Sequence, residues 1–252
     1  MPKQIAVAGK GGTGKTTLAS LLVRYLSEEK PDKDILAVDA DANANFNEAL
    51  GLEVKGCISD ILEDTKDFRK VPQGMTKEMY VEMQLHHSMT ETEKYDLVVM
   101  GNPHGPGCYC YPSDLLRKHL ENLQGNYDYL VVDNEAGLEH LSRRILPGVD
   151  ILLVTSDATA RGVRSAGRVY EIVKSVNLDV KEIYLIITKA QKEEDVENLK
   201  EEIEKTGLTL GGQIPLDDQV AEFDLKGTPL IQLPDDSSAY QAVKKLAKKL
   251  NL

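Results

Sequence analysis

Short uninterrupted apolar runs punctuate the chain: Ile5–Ala8, Ile35–Val38, Leu97–Met100, Tyr129–Val132, Ile151–Val154 and Ile183–Ile187. None alternates with polar residues, so each reads as a strand buried on both faces of a parallel sheet. Between them lie stripes at helical spacing. Leu18, Leu21, Leu22, Tyr25 and Leu26 form one, on a helix that starts near Lys15. Val163, Ala166, Val169, Tyr170 and Val173 form a second, and Val196, Leu199 and Ile203 mark a third with a charged outer side. A helix is expected from Thr76 to His87 within the polar stretch Asp64 to Lys94, and a last one from about Asp236. Strand and helix alternate without an internal repeat or a dividing linker. The prediction is one doubly wound α/β domain over residues 1–252, a mostly parallel sheet with helices on both faces.

Composition narrows this picture. Apolar residues make up 41% of the 252, tryptophan is absent and aromatics are 5%, so the core must be Leu, Val, Ile and Ala. The net charge of −11 repels phosphate backbones and argues against nucleic-acid partners. Met1-Pro2-Lys3-Gln4 is no targeting leader, and no apolar run reaches membrane-spanning length, so a soluble, cytoplasmic chain is expected. Cys57, Cys108 and Cys110 are too few and odd in number for a disulfide framework, and the close pair suggests metal or redox chemistry.

The octet Gly9-Lys10-Gly11-Gly12-Thr13-Gly14-Lys15-Thr16 follows the first strand and opens the first helix. It matches G-x-x-x-x-G-K-[ST], the phosphate-binding loop. Glycines let successive backbone amides point inward, and the helix dipole adds positive potential. Lys15 is expected to reach the β- and γ-phosphates, Thr16 to ligate Mg²⁺, and Thr17 to extend the cradle. Gly9, Gly11 and Gly14 also spell a dinucleotide fingerprint, which has no use for Lys15 and Thr16. Acids at strand tips are the next signal: Asp39 and Asp41 after the second run, Asp133 after the fourth. One carboxylate beside such a loop can orient the attacking water while another holds Mg²⁺. A strand-end aspartate standing alone is more often a helix cap. Gly137 marks a backbone expected to rotate toward the γ-phosphate.

Together these residues resemble the deviant Walker A ATPases, the class of MinD, ParA and the nitrogenase iron protein, over nearly the whole chain. The resemblance implies ATP or ADP as ligand. It implies that Lys10 reaches across a two-fold axis to the partner's ATP, that Asp41 activates water and that Asp133 belongs to the second switch. Asn45 matches the asparagine after the first switch. Thr188-Lys189 and Ile214-Pro215-Leu216-Asp217, with Val220, Glu222, Gly227 and Pro229, fall where the family holds the base. Ala42 stands where many relatives carry proline.

Gly105-Pro106-Gly107-Cys108-Tyr109-Cys110 and Asp133-Asn134-Glu135-Ala136-Gly137-Leu138-Glu139-His140 resemble the nickel-insertion ATPases of the CooC and AcsF type. That branch implies a client, the apo form of carbon monoxide dehydrogenase or acetyl-CoA synthase. Two thiolates per chain cannot complete a four-coordinate soft-metal site, but a two-fold axis gives four sulfurs, a set suited to Zn²⁺ or Ni²⁺. Cysteines serving as small core residues are the plain alternative; the Gly-Pro-Gly and Tyr-Tyr-Pro neighbours argue against it. His104 is read as solvent-facing, His86 and His87 as pointing to different sides of a helix, and Cys57 as structural.

Two rivals share the loop. One is a MinD- or ParA-type positioning switch, for which Lys244, Lys245, Lys248 and Lys249 opposite Tyr240, Val243, Leu246, Ala247 and Leu250 would form a membrane helix. A final helix packed on the sheet is the preferred reading of that stripe, with membrane contact not expected. The other rival is an iron–sulfur reductase, which draws cysteines from two separated positions per chain.

Overall fold

The computed structural model describes residues 1–64, 70–102, 110–134, 148–176 and 178–252. β1 (Lys3–Gly9) leads through the glycine-rich loop into α1 (Lys15–Glu29), followed by β2 (Ile35–Ala40). Helices α2 (Phe46–Leu50), α3 (Ile58–Asp64) and α4 (Lys77–Ser88) precede β3 (Asp96–Val99). Next come α5 (Cys110–Leu123), β4 (Tyr129–Asn134), β5 (Val149–Asp157), α6 (Ala160–Ser175) and β6 (Val180–Ala190). The chain continues through α7 (Glu193–Glu197), α8 (Lys200–Thr206), β7 (Thr209–Pro215), α9 (Asp218–Lys226) and α10 (Ser238–Lys249).

The strands form one parallel seven-stranded sheet in the order β3-β2-β4-β1-β5-β6-β7. Apolar residues line both of its faces, as the uninterrupted runs require. Ile5 and Val7 pack with α1 and α10, while Ala6 and Ala8 pack on the opposite face with α6. The stripes of α1 and α6 are buried as predicted, with Tyr170 only partly covered. α4 begins where expected because the Thr76 side chain accepts from the Met79 amide at 3.2 Å.

Two elements differ from the sequence reading. β7 was not foreseen: Thr209-Leu210-Gly211-Gly212-Gln213-Ile214-Pro215 breaks its apolar run with two glycines, yet pairs along β6 with a register irregularity beside Gly211. The stripe Val196, Leu199, Ile203 is buried as expected, but Asn198 and Leu199 divide it into two short helices, α7 and α8.

α10 buries Ala239, Tyr240, Val243, Leu246 and Ala247, mainly against α1 and β7. Its apolar stripe is consumed inside the fold, as preferred above. Arg24 of α1 reinforces that seam, with its guanidinium 3.9 Å from the Tyr240 ring centre and 2.5 Å from Asp235 Oδ1. Among the described residues no helix is long and apolar enough to cross a membrane.

Register sets the site. Asp39 lies beside Asp133 across β2 and β4, Gly9 beside Thr155 across β1 and β5, and Asp157 beside Thr188 across β5 and β6. These strand tips converge on the glycine-rich loop, where open α/β sheets bind ligands.

Candidate functional site

The loop is held from outside. A Cβ on Gly9, whose φ is 151°, would sit 2.4 Å from Thr155 Oγ1 and 2.6 Å from its carbonyl, so only glycine lets β1 end this close to β5. The Thr13 hydroxyl donates to the Lys10 carbonyl at 2.7 Å and lies 2.7 Å from the Thr155 hydroxyl. Lys189 Nζ donates to the Gly12 carbonyl at 2.8 Å, and the Thr188 hydroxyl to the Thr13 carbonyl at 2.9 Å. Lys189 itself adopts a positive φ of 58°.

The start of α1, like those of α2 and α8, has no side-chain cap. Side chains of Thr76, Thr159, Asp217 and Ser237 cap α4, α6, α9 and α10. Gly14, left-handed at φ 75°, gives α1 no side-chain cap, and its first turn holds no acid. Its leading amides and dipole are therefore free for an anion. Lys15 is buried in the loop with Nζ 3.5 Å from the Lys10 carbonyl. Lys10 is exposed, and its ammonium makes no ion pair among the described residues.

Behind the loop, the Thr16 hydroxyl donates to Asp133 Oδ2 at 2.6 Å. Asp133 Oδ1 is buried and accepts no hydrogen bond among the described residues. Burial pushes the Asp133 carboxyl up to about 6, against Thr16 and Lys15, which lower it. An orphaned carboxylate oxygen beside a threonine hydroxyl is a hard-oxygen donor set that fits Mg²⁺.

Asp39 has a different task. Its Oδ1 accepts from the Asp41 amide at 3.0 Å and its Oδ2 from the Phe46 amide at 3.0 Å. Both oxygens thus strap the two ends of the loop between β2 and α2. Burial, with Asp133 adding repulsion, pushes the Asp39 carboxyl up to about 7. Asp41 is half-buried at the start of that loop, and its Oδ1 accepts from the Asn43 amide at 2.8 Å and from Asn43 Nδ2 at 3.0 Å.

Two adjoining clefts open beside the loop. One, of about 340 Å³, is lined by Gly12, Lys15, Thr16, Asn45, Lys189 and Asp224 among others. The other, of about 190 Å³, is lined by Gly14, Thr17, Thr188, Pro215 and Val220 among others. Thr188, Lys189, Pro215, Val220 and Gly227 therefore do line the space beside Gly14, whereas Glu222 is exposed and binds Lys226 at 2.5 Å. Asp217 underpins the wall: it accepts from the Gln219 and Ala239 amides and from the Ser237 and Ser238 hydroxyls at 2.8–3.0 Å. Burial works against its charge, yet these donors hold its carboxyl below the usual range.

Sequence reasoning missed Thr155, Asn134, Asp224 and Thr228. Thr155 and Asn134 sit near strand ends, and a search for acids there passes over them; position alone, without charge, was the signal that could have found them. Asn134 Nδ2 donates to the Val7 carbonyl at 2.9 Å. Asp224 and Thr228 gave no signal, because their cleft forms only where the end of α9 comes beside the phosphate loop and α2 in the folded chain.

Cys108, with His104, Gly105, Pro106, Gly107 and Tyr109, lies outside the described residues, as do Gly137 and the rest of 135–147. Cys110 is described as the first backbone position of α5. Among the described residues no three His, Cys, Asp or Glu side chains cluster as a metal site. Cys57 is half-buried, and burial followed by Asp60 and Asp39 pushes its thiol up to about 11, which suits a structural cysteine.

The CobQ/CobB/MinD/ParA nucleotide-binding domain family matches residues 5–230, from β1 past the end of α9. The chain belongs to that family. As a CobQ/CobB/MinD/ParA member it is an ATP-binding and ATP-hydrolysing P-loop ATPase. An uncharacterized ATP-binding protein of Methanocaldococcus jannaschii is 41% identical over 251 residues, covering 98% of this chain and 97% of that one. The carbon monoxide dehydrogenase accessory protein CooC of Rhodospirillum rubrum is 28% identical over 237 residues, covering 89% of this chain and 88% of its own. The septum site-determining protein MinD of Pyrococcus horikoshii, solved with Mg-ADP, superposes with a TM-score of 0.73 at 22% identity, covering 100% of this chain and 96% of its own. That likeness extends the family fold to the full length of the chain.

Proposed function

We propose that this ATPase is a homodimeric switch whose nucleotide state governs a nickel cargo. The observation that carries the switch is the pair of lysines in one loop: Lys15 buried in its own loop, Lys10 exposed and without an ion pair among the described residues. A cation presented outward beside a phosphate site is placed to serve a second copy's nucleotide, as an arginine finger does in trans. Lys15 and the α1 amides bind the phosphates. Thr16 and Asp133 would hold Mg²⁺, which neutralises charge between the phosphates. Asp41, oriented through the Asp39 strap, positions the attacking water.

The cargo reading rests on Cys108 and Cys110 and is supported by the 28% identity to CooC. In this reading ATP brings two subunits together, four thiolates enclose Ni²⁺ or Zn²⁺, and hydrolysis releases the metal to carbon monoxide dehydrogenase or acetyl-CoA synthase. Linkage requires that nucleotide and metal alter each other's affinity by the same factor.

Anaerobic calorimetry with Ni²⁺ tests the reading on apo, ADP-bound and ATP-bound protein, with mass followed by light scattering. One Ni²⁺ per dimer is expected, altered by nucleotide and lost in the Cys108→Ala/Cys110→Ala variant. ATP-dependent dimerisation without Ni²⁺ uptake would overturn the cargo assignment and leave a positioning switch of the MinD and ParA type.

A further inference from the structure

The free edge of the sheet holds a further cleft, which meets those beside the phosphate loop only at Pro215. β7 is the last strand of the sheet, paired on one side with β6 and on the other with no strand among the described residues. Along that open edge runs a cleft of about 530 Å³. β7 lines it with Leu210, Gly211, Gly212, Gln213 and Pro215, and α10 with Ala242, Lys245, Leu246 and Lys249. Gln191 and Lys192 close one end.

Three properties define its occupant. First, main chain is accessible along the edge. Natural sheets blunt free edges with charged side chains, prolines or bulges; β7 has a register irregularity at Gly211 and Pro215 at its end, but two glycines leave the middle of the strand without side chains. The register irregularity leaves Gly211 out of step with β6, and its carbonyl accepts from Lys249 Nζ at 2.6 Å, a side chain standing where a neighbouring strand's amide would donate. Second, the charge is inverted. On a chain of net charge −11, this lining carries Lys192, Lys245 and Lys249 and no acid. Lys245 and Lys249 are exposed, and neither forms an ion pair with a carboxylate among the described residues. Third, the length fits: the strand offers seven residues, about 23 Å at roughly 3.3 Å per residue.

We infer that the β7 edge is a docking groove for an extended acidic segment of a partner protein, added as an eighth strand. The partner's main chain pairs with β7, its amide displaces Lys249 from the Gly211 carbonyl, and the freed Lys249 joins Lys192 and Lys245 against its acidic side chains. This is strand addition, in which backbone hydrogen bonds give affinity and alternate side chains give specificity. Lysines at the rim chiefly set selectivity and rate, so binding weakens with salt. The groove stands independently of the metal-cargo reading.

The probe is a fluorescein-labelled Glu-Val-Glu-Val-Glu-Val peptide, followed by anisotropy on the full chain at low salt. Binding is expected, at least tenfold weaker for Lys-Val-Lys-Val-Lys-Val and at least tenfold weaker for the acidic peptide methylated on alternate backbone nitrogens. The Lys245→Glu/Lys249→Glu variant should bind at least tenfold more weakly with ATP hydrolysis unchanged, which separates lost docking from misfolding. Amide exchange of residues 210–213 should slow on binding. Equal affinity for the methylated peptide would overturn strand addition, and equal affinity for the basic peptide would overturn the acidic partner. Concentration-dependent dimerisation that buries residues 210–213 and excludes the peptide would assign the edge to a second copy and overturn the proposal.

Discussion

Replacing Asp133 with asparagine should stabilise the metal-free protein at neutral pH relative to acid pH, even as it disables hydrolysis. In the unfolded chain this carboxyl releases its proton near 3.8; in the fold, burial holds the proton until about 6. A carboxyl raised by folding favours the native state below the unfolded value, and that contribution is lost as pH rises through the folded value. At pH 7.5 the buried charge thus costs about 3 kcal/mol, and at pH 4 almost nothing. Asparagine is neutral at both pH values and keeps the acceptor for Thr16. Its amide group, however, places a donor where Oδ1 now has no partner, a penalty of about 1–2 kcal/mol at either pH. The expected outcome is a variant about 1–2 kcal/mol more stable than wild type at pH 7.5 and about 1–2 kcal/mol less stable at pH 4. The swing of about 3 kcal/mol is the quantity to read. Loss of repulsion on Asp39 enlarges it. Urea unfolding of both proteins at half-unit pH steps measures it directly, provided the m-values agree. A stability difference that stays flat between pH 4 and 7.5 would refute the assignment of Asp133 as a buried, destabilising charge.

Further outcomes follow from the same geometry. Lys15→Ala should abolish detectable nucleotide binding by calorimetry, whereas Lys10→Ala should keep binding within a few-fold and lower ATP turnover by about 10³ or more, as for a trans-acting cation. Gly9→Ala should destabilise by more than about 3 kcal/mol in urea, since its Cβ meets Thr155 backbone 2.6 Å away and cannot be relieved by a rotamer change. Asp217→Ala should cost about 3 kcal/mol at pH 7, because two amides and two hydroxyls lose their acceptor. Its folded carboxyl is lowered, so wild-type stability declines as pH falls from about 4, and the gap to the alanine variant should narrow there.

The sheet was legible because buried parallel strands cannot hide: every position must be apolar, and six of the seven strands announce themselves as runs. β7 escaped because an edge strand needs only one buried face and one partner, so Gly211 and Gly212 are tolerated there. The loop was legible for a stricter reason, since Gly9 and Gly14 occupy positions no side chain could take without strain. What the sequence concealed was division of labour among the acids. Asp39, Asp41 and Asp133 look alike as strand-tip carboxylates, yet the first gives both oxygens to backbone amides, the second gives one oxygen to an asparagine turn, and of the three only Asp133 holds a buried oxygen without a partner among the described residues. Such differences depend on which backbone amides pass within 3 Å, and no residue pattern encodes that. The cleft wall was readable at Pro215 and Val220 through resemblance, but Asp224 and Thr228 join it only through tertiary folding.

The tethered carbonyls of the phosphate loop have a kinetic consequence. Fixing a residue's backbone costs about 1–2 kcal/mol, and a loop that orders only around its ligand charges that cost to every binding event. Here Thr13, Thr188 and Lys189 hold the carbonyls of Lys10, Thr13 and Gly12 through contacts internal to the fold. Nucleotide therefore enters a finished mould. Its capture is governed by encounter rather than by backbone rearrangement, and ADP can leave without dismantling the loop. The slow step is then free to lie elsewhere: in the homodimeric switch proposed above, it would fall on the meeting and parting of subunits, where a timer is useful.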